Sequence, residues 1–271
     1  MRRASRAEPG GGRGKRQAAL VAGVAAAAAL LFAVLLVPGS GSSTGGDELP
    51  GPPEPALQVG TPQRLAGERH VSLWTTVRRT VTARSAPDAG AAAVARLERT
   101  TPEGTANPLQ VAGRARDAAG RVWVRARLAV LPNGTTGWVP RTAVSGYRSV
   151  RTRLVVDLGA LRATLLRNGR AVLRAPVGVG LPQWPTPRGR FYIRNKLVRY
   201  RSPFYGPLAF GTSARSAVLT DWPGGGFVGI HGTNRPELIP GRVSHGCIRM
   251  RNKDIERLGR LMQVGTPIII N

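Results

Sequence analysis

The stretch "IHGTNRPELIPGRVSHGCIRM", Ile230 to Met250, holds the only cysteine of a 271-residue chain and two of its three histidines. A cysteine attacks carbonyls as its thiolate, and a free thiol with a pKa of about 8.5 is mostly protonated at neutral pH. A histidine, at about 6.5, can take that proton and return it. His245 stands two residues before Cys247, so on an extended strand both side chains would share a face. His231 stands sixteen residues upstream. An excursion through Pro236, Pro240 and Gly241 could bring it back to Cys247. Gly246 permits tight backbone geometry, and its amide and that of Cys247 are candidate oxyanion donors. Two bland readings stand beside this one. A lone cysteine can be a small buried hydrophobe. A Cys/His/His metal site is conceivable, although Glu237 and Asp254 have no recognised ligand spacing.

Such residues need a scaffold, and the composition bounds it. The chain has 22 prolines and 35 glycines, which favour turns and short strands over a helical bundle. With one cysteine the fold has no internal disulfide and no thiolate metal cluster. Forty Lys+Arg against fourteen Asp+Glu give a net charge of +26. That charge attracts anionic polymers, or it reflects arginines spread over solvated faces. Aromatics are only 5% and no nucleic-acid motif is present, so nucleic acid is not an expected partner.

The chain opens with a basic segment, residues 1–17. Residues 18–37, "AALVAGVAAAAALLFAVLLV", then form an uncharged run whose helical length of about 30 Å matches one bilayer core. The positive-inside rule expects a single-pass anchor with the remainder exported. A cleaved signal, and hence secretion, is the alternative, although no A-x-A exit follows. No cysteine follows the run, which excludes lipoprotein attachment there. Residues 38–69, rich in Gly, Ser and Pro, read as a spacer.

Residues 70–148 read as short strands. "RVWVRARLAV" alternates Val122, Val124, Ala126 and Leu128 against arginines, and Asn133-Gly134 signals a hairpin. Trp123 and Trp138 suit either core packing or ligand contact. From "VTARSAP" and "GRVWVRA…TGWVP" the block resembles a bacterial Src-homology-3-like barrel, which implies contact with cell-wall material; a mere spacer is the other reading. Residues 151–271 predict three strands in "TRLVVDLGALRATLLRNGRAVLRAPVGVG", with a turn at Asn168-Gly169. "RGRFYIRNKL" predicts another. Ile255, Leu258, Leu261 and Met262 predict a helix with Asn252 as N-cap and Gly265 as its stop. "TPIIIN" predicts a buried closing strand.

"HGTN" followed by "SHGCIRM" resembles the signature of the L,D-transpeptidase catalytic domain of the YkuD type. "VGVGLPQWPTPRGRFYI" resembles its Thr-Pro-x-Gly-x-Phe stretch through Thr186, Pro187, Gly189 and Phe191. The resemblance implies a β-sandwich-like catalytic domain; with the apolar run, the barrel-like block and the helical spacing after Asn252, the expected chain is mainly β: a transmembrane helix, a small barrel-like domain, then that catalytic domain with a short helix. The resemblance also implies Cys247 as nucleophile and His231 as acid/base, with the Gly232 carbonyl orienting the His231 ring. Ser244, His245 and Gly246 would shape the site and its oxyanion hole, and Arg249 and Thr233 are substrate-binding candidates. The implied reaction joins peptidoglycan stem peptides through 3→3 cross-links, with no cofactor and no metal. The same nucleophile would serve an L,D-carboxypeptidase or a protein-to-wall linker. A non-catalytic wall-binding protein at the bacterial membrane is the remaining alternative. Anionic wall polymers are candidate further partners.

Overall fold

The computed structural model describes residue 63 and residues 70–198, 203–219 and 225–271. The expected basic segment and apolar run, 1–17 and 18–37, lie outside the described residues, as does nearly all of the expected spacer. Among the described residues no helix is long and apolar enough to cross a membrane. One spacer residue is tied down: Gln63 bridges Arg114 through two backbone hydrogen bonds of 3.1 Å.

The first seven strands are β1 (Ser72–Thr76), β2 (Val81–Arg84), β3 (Ala93–Leu97), β4 (Pro108–Arg116), β5 (Val122–Arg127), β6 (Thr136–Pro140) and β7 (Arg148–Val150). They form one antiparallel sheet in the order β3-β2-β6-β5-β4-β1-β7. The period-two pattern of the sequence becomes its core: Val124, Ala126 and Leu128 are buried with Leu109, Val111 and Val139. Trp123 and Trp138 pack together as a small buried cluster with Ala115, which settles them as core.

The remaining strands are β8 (Thr152–Asp157), β9 (Arg162–Arg167), β10 (Arg170–Pro176), β11 (Gly178–Gly180), β12 (Gly189–Val198), β13 (Leu208–Arg215), β14 (Phe227–His231), β15 (Gly241–Ser244), β16 (Ile248–Arg249) and β17 (Pro267–Ile270). A single α-helix among the described residues, α1 (Asn252–Leu261), separates β16 from β17. The sheet order is β10-β9-β8-β17-β12-β13-β14-β16-β11-β15. Asn168 and Gly169 both take positive φ, 50° and 80°, the geometry of the tight hairpin expected there. Strand β12 does double duty. Its start, Gly189–Tyr192, pairs with β17, and its end pairs with β13 after a register shift at Ile193/Asn195. The sheet thereby splits into two layers sharing one core, a β-sandwich-like arrangement in which Leu154, Leu165 and Phe191 meet Phe210, Ile230 and Ile248.

Helix α1 buries Ile255 and Leu258 in this core. Its boundary differs from expectation: Arg251 is the N-cap, and Asn252 is the first helical residue. Asn252 instead turns its Oδ1 to accept the Thr233 N–H at 2.9 Å. The amide that needs a partner is in the loop after β14, so the cap-type side chain serves that loop.

The two sheets are joined by specific polar contacts. Glu103, between β3 and β4, accepts from Asn195 Nδ2 at 2.9 Å and Arg194 Nη2 at 3.3 Å. Asn133 clasps the end of β13: its Nδ2 donates to Arg215 O at 2.7 Å and its Oδ1 accepts Arg215 N–H at 3.0 Å. Tyr192 is fully buried and donates to Pro108 O at 3.1 Å.

Candidate active site

Parallel pairing of β14 with β16 sets Ile230 beside Ile248 and His231 beside Arg249. Sixteen residues of chain are thus folded back so that His231 and the residues after Gly246 become neighbours. Met250 N–H fixes the register by donating to His231 O at 2.8 Å. His231, Ser244, His245, Cys247 and Arg249 line one pocket of about 450 Å³, with Phe204, Tyr205, Phe227 and Leu238 among its walls.

The turn carrying Cys247 is not an extended strand. Ser244 ends β15, β16 begins only at Ile248, and Gly246 has φ +108°, which an L side chain rarely adopts. Ser244 clasps this turn: its hydroxyl donates to Cys247 O at 2.5 Å and accepts Gly246 N–H at 3.2 Å. The Gly246 amide, one of the two expected oxyanion donors, is therefore already engaged. Thr186 holds the turn from below. Its buried hydroxyl accepts Gly180 N–H and donates to Gly246 O, each at 2.9 Å. His245 is exposed, its ring 4.2 Å from that of Trp184.

His231 is 2% exposed, and its Nδ1 lies 2.6 Å from Gly232 O. A carbonyl only accepts, so Nδ1 carries the proton and Nε2 is the basic nitrogen. Burial lowers the His231 pKa from 6.5 to about 4; the Gly232 carbonyl opposes this, and Arg249 adds to it. The ring of Tyr205 stands edge-on at 4.8 Å and that of Phe204 at 6.0 Å. Cys247 is half-buried, and burial pushes its thiol above the ordinary value. The Gly229 N–H, 3.4 Å from Sγ, and the Arg249 charge pull the other way. Both shifts favour the thiol and the neutral imidazole over the thiolate–imidazolium pair. A Cβ placed on Gly229 would stand 3.9 Å from both Cys247 Sγ and His231 Cδ2, so the missing side chain leaves open the space those two groups border.

Arg249 is buried, its guanidinium 4.6 Å from the centre of the Phe204 ring, and its Nε has no hydrogen-bond partner. Thr233, expected as a substrate contact, is buried outside the pocket lining. Its hydroxyl accepts Arg235 N–H at 3.0 Å and its own N–H goes to Asn252, which makes it a loop-fixing residue. Among the described residues no group of His, Cys, Asp and Glu is placed to hold a metal ion. Sequence reasoning missed Gly229, Phe204, Tyr205 and Phe227, because none carries a reactive group or a diagnostic spacing. Phe227 is braced from behind: the Arg194 guanidinium sits 3.8 Å from its ring centre and is itself paired with Glu103 of the β3–β4 connection.

Residues 151–270 match the family of L,D-transpeptidase catalytic domains of the YkuD type. The L,D-transpeptidase YkuD of Bacillus subtilis is 41% identical over 118 residues, which are 44% of this chain and 65% of that protein. Its counterpart from Bacillus licheniformis is 35% identical over 130 residues, 47% of this chain and 72% of that protein. The chain thus spans just under two thirds of the first relative and somewhat more of the second. Among solved structures, an Enterococcus faecium L,D-transpeptidase is 26% identical with a TM-score of 0.34, covering 44% of this chain and 49% of that one. A Mycobacterium smegmatis L,D-transpeptidase is 20% identical with a TM-score of 0.36, covering 55% and 90%.

Proposed function

The chain belongs to the YkuD-type L,D-transpeptidase family, and from that premise we propose that it is a cysteine acyltransferase forming 3→3 cross-links between peptidoglycan stem peptides. The observation that carries this reading is the shared pocket in which Cys247 faces a buried His231 whose Nδ1 is fixed by Gly232, leaving Nε2 as the base.

In the first half-reaction Cys247 Sγ attacks the carbonyl of the third residue of a donor stem, a diamino acid. His231 Nε2 takes the thiol proton as the S–C bond forms. Because the resting thiol is pushed up and the imidazole pushed down, this transfer accompanies attack rather than preceding it. The Cys247 amide is the oxyanion donor left once the Gly246 amide is tied to Ser244. The C–N bond to terminal D-alanine breaks, and its amine leaves with the proton from His231. In the second half-reaction the side-chain amine of an acceptor stem attacks the thioester. His231 removes the amine proton and returns it to the departing sulfur. Arg249, behind the thiol, favours developing negative charge on sulfur and disfavours a lasting imidazolium. Ser244, Thr186 and the His245–Trp184 stack shape the turn.

The basic segment and apolar run before the spacer support placing the catalytic domain outside the cytoplasmic membrane, anchored by residues 18–37 or secreted after their removal. The N-terminal sheet would then serve the wall side as a Src-homology-3-like module. The test is incubation of the protein and of Cys247→Ala with tetrapeptide muropeptides, read by mass spectrometry. Wild type should yield 3→3 dimers and the variant none. Tripeptide product without dimer would instead identify a carboxypeptidase, and equal dimer from the variant would remove Cys247 from the chemistry.

A further inference from the structure

Away from the Cys247 pocket, and sharing none of its lining residues, a second cleft of about 200 Å³ opens where the two sheets meet. Strand register shows how it is made. On the N-terminal sheet, Arg127 pairs across to Gln110, Gln110 to Trp74, and Ser72 lies two residues from Trp74, so these side chains share one face. On the second sheet, Arg190 pairs with Ile269 and Ile269 with Val155, and Arg153 lies two residues from Val155, again on one face. Ser72, Gln110, Arg127, Arg153, Arg190 and Ile269 all line the cleft.

Three arginines from three strands of two sheets therefore line one cleft, and no acidic side chain lines the space. Among the described residues none of the three is joined to a carboxylate. The nearest compensation is a weak 3.4 Å contact from Arg127 Nη1 to Gly134 O. Arg127 and Arg153 are half-buried, so solvent screens them less than the arginines scattered over open faces. Burial, and then the Arg190 charge, lower the Arg127 pKa, against a smaller opposing influence of Tyr192. Elsewhere at this junction the same problem is solved with an acid, since Glu103 neutralises Arg194.

We propose that the Arg127/Arg153/Arg190 cleft is a phosphate-binding site, in which phosphate oxygens accept from guanidiniums of both sheets and so tie the sheets together. Arginine suits this role because its planar fork of donors matches phosphate oxygens, and Ser72 and Gln110 add neutral donors at the rim. The source is either free phosphate or the phosphodiester backbone of a polymer.

The experiment follows thermal unfolding of the full chain in phosphate and in chloride at matched ionic strength. It compares wild type, the double variant Arg127→Gln/Arg190→Gln, and Arg257→Gln on the exposed face of α1 as control. Phosphate stabilises many proteins through surface exclusion, so the readout is the difference between wild type and double variant. Wild type and the control should gain a saturable Tm rise of roughly 5–10 °C at hundred-fold excess over Kd. The double variant should lose that rise while being as stable as wild type, or more so, in chloride. A poly(glycerol phosphate) chain that saturates the effect at lower phosphate concentration than the free ion identifies the polymer as ligand; equal concentrations identify free phosphate. An identical phosphate response in wild type and double variant overturns the proposal, as does no phosphate-specific response in wild type. Cys247→Ala should respond like wild type, so the outcome is independent of the acyl-transfer reading.

Discussion

Replacing His231 by Gln tests the electrostatics of the site without any substrate. In the folded chain His231 is 2% exposed and its pKa is lowered from 6.5 to about 4, chiefly by burial. In the unfolded chain it titrates near 6.5. Folding thus favours the neutral ring, and between these values the unfolded state holds more protons than the folded state. The contribution is complete above about pH 6.5 and is lost as pH falls through about 4. The two limits differ by about 3 kcal/mol, with a slope approaching 1.4 kcal/mol per pH unit in the window. Urea unfolding of wild type and His231→Gln at intervals from pH 7.5 to 4 isolates this residue, because other titrating groups are common to both. Asp117 and Asp157, whose carboxyls are held below their ordinary values, cancel in this way. Near neutrality the variant should be the less stable by about 1 kcal/mol, having lost the bond to Gly232 O. The difference should shrink and reverse on acidification, because only the unfolded wild-type chain gains an imidazole proton that its folded state does not take up until about pH 4. Curves that stay parallel to within about 0.5 kcal/mol across the window would refute the reasoning, since that outcome requires an imidazole as free to ionise folded as unfolded.

Thr186→Val keeps the shape but strands the buried Gly180 N–H and frees the Gly246 carbonyl. It should cost about 1–3 kcal/mol and lower kcat, and Thr186→Ser should restore both; a silent Thr186→Val would show that the turn is held elsewhere. Gly229→Ala adds a methyl at ordinary contact distance, 3.5 Å from Phe210 O and 3.9 Å from the thiol and imidazole. Unfolding free energy should stay within about 1 kcal/mol while acyl transfer falls roughly ten-fold or more through misplacement of the attacking pair; unchanged turnover would show that substrate does not use that space. Glu103→Gln leaves the buried Arg194 charge with an aromatic face but no anion. A loss of about 3 kcal/mol, or roughly 6–12 °C in Tm, is expected by calorimetry, and an unshifted transition would mean that the pair is neutral to stability.

Much of the second sheet was legible because its signals are local. The Asn168-Gly169 turn, the apolar spacing of Ile255, Leu258 and Met262, and the Ile268–Ile270 run each depend only on neighbours in sequence. The helix start was misplaced because Asn252 has two polar uses, and the Thr233 amide, distant in sequence, provides the better one. Trp123 and Trp138 could not be assigned beforehand, since period-two patterning says which face a residue takes but not what covers that face. Thr233, a substrate-binding candidate in the sequence, is buried outside the pocket lining, with its hydroxyl bonded to the Arg235 N–H and its own N–H to Asn252.

The amino-acid sequence by itself determined which atoms are available for chemistry: one thiol, three histidines, and a glycine before the cysteine that permits a backbone turn closed to other residues. Those are covalent and local conformational facts. Only the tertiary structure gives the two histidines different surroundings. The parallel β14–β16 pairing brings His231 beside Arg249 and buries it in the Cys247 pocket, while the Gly246 turn leaves nearby His245 on the same pocket's lining but exposed, against Trp184. Protonation was decided there too, because the pKa values of His231 and Cys247 follow from burial and from the Gly232, Gly229 and Arg249 groups around them. Those neighbours exist only once strands distant in sequence have paired.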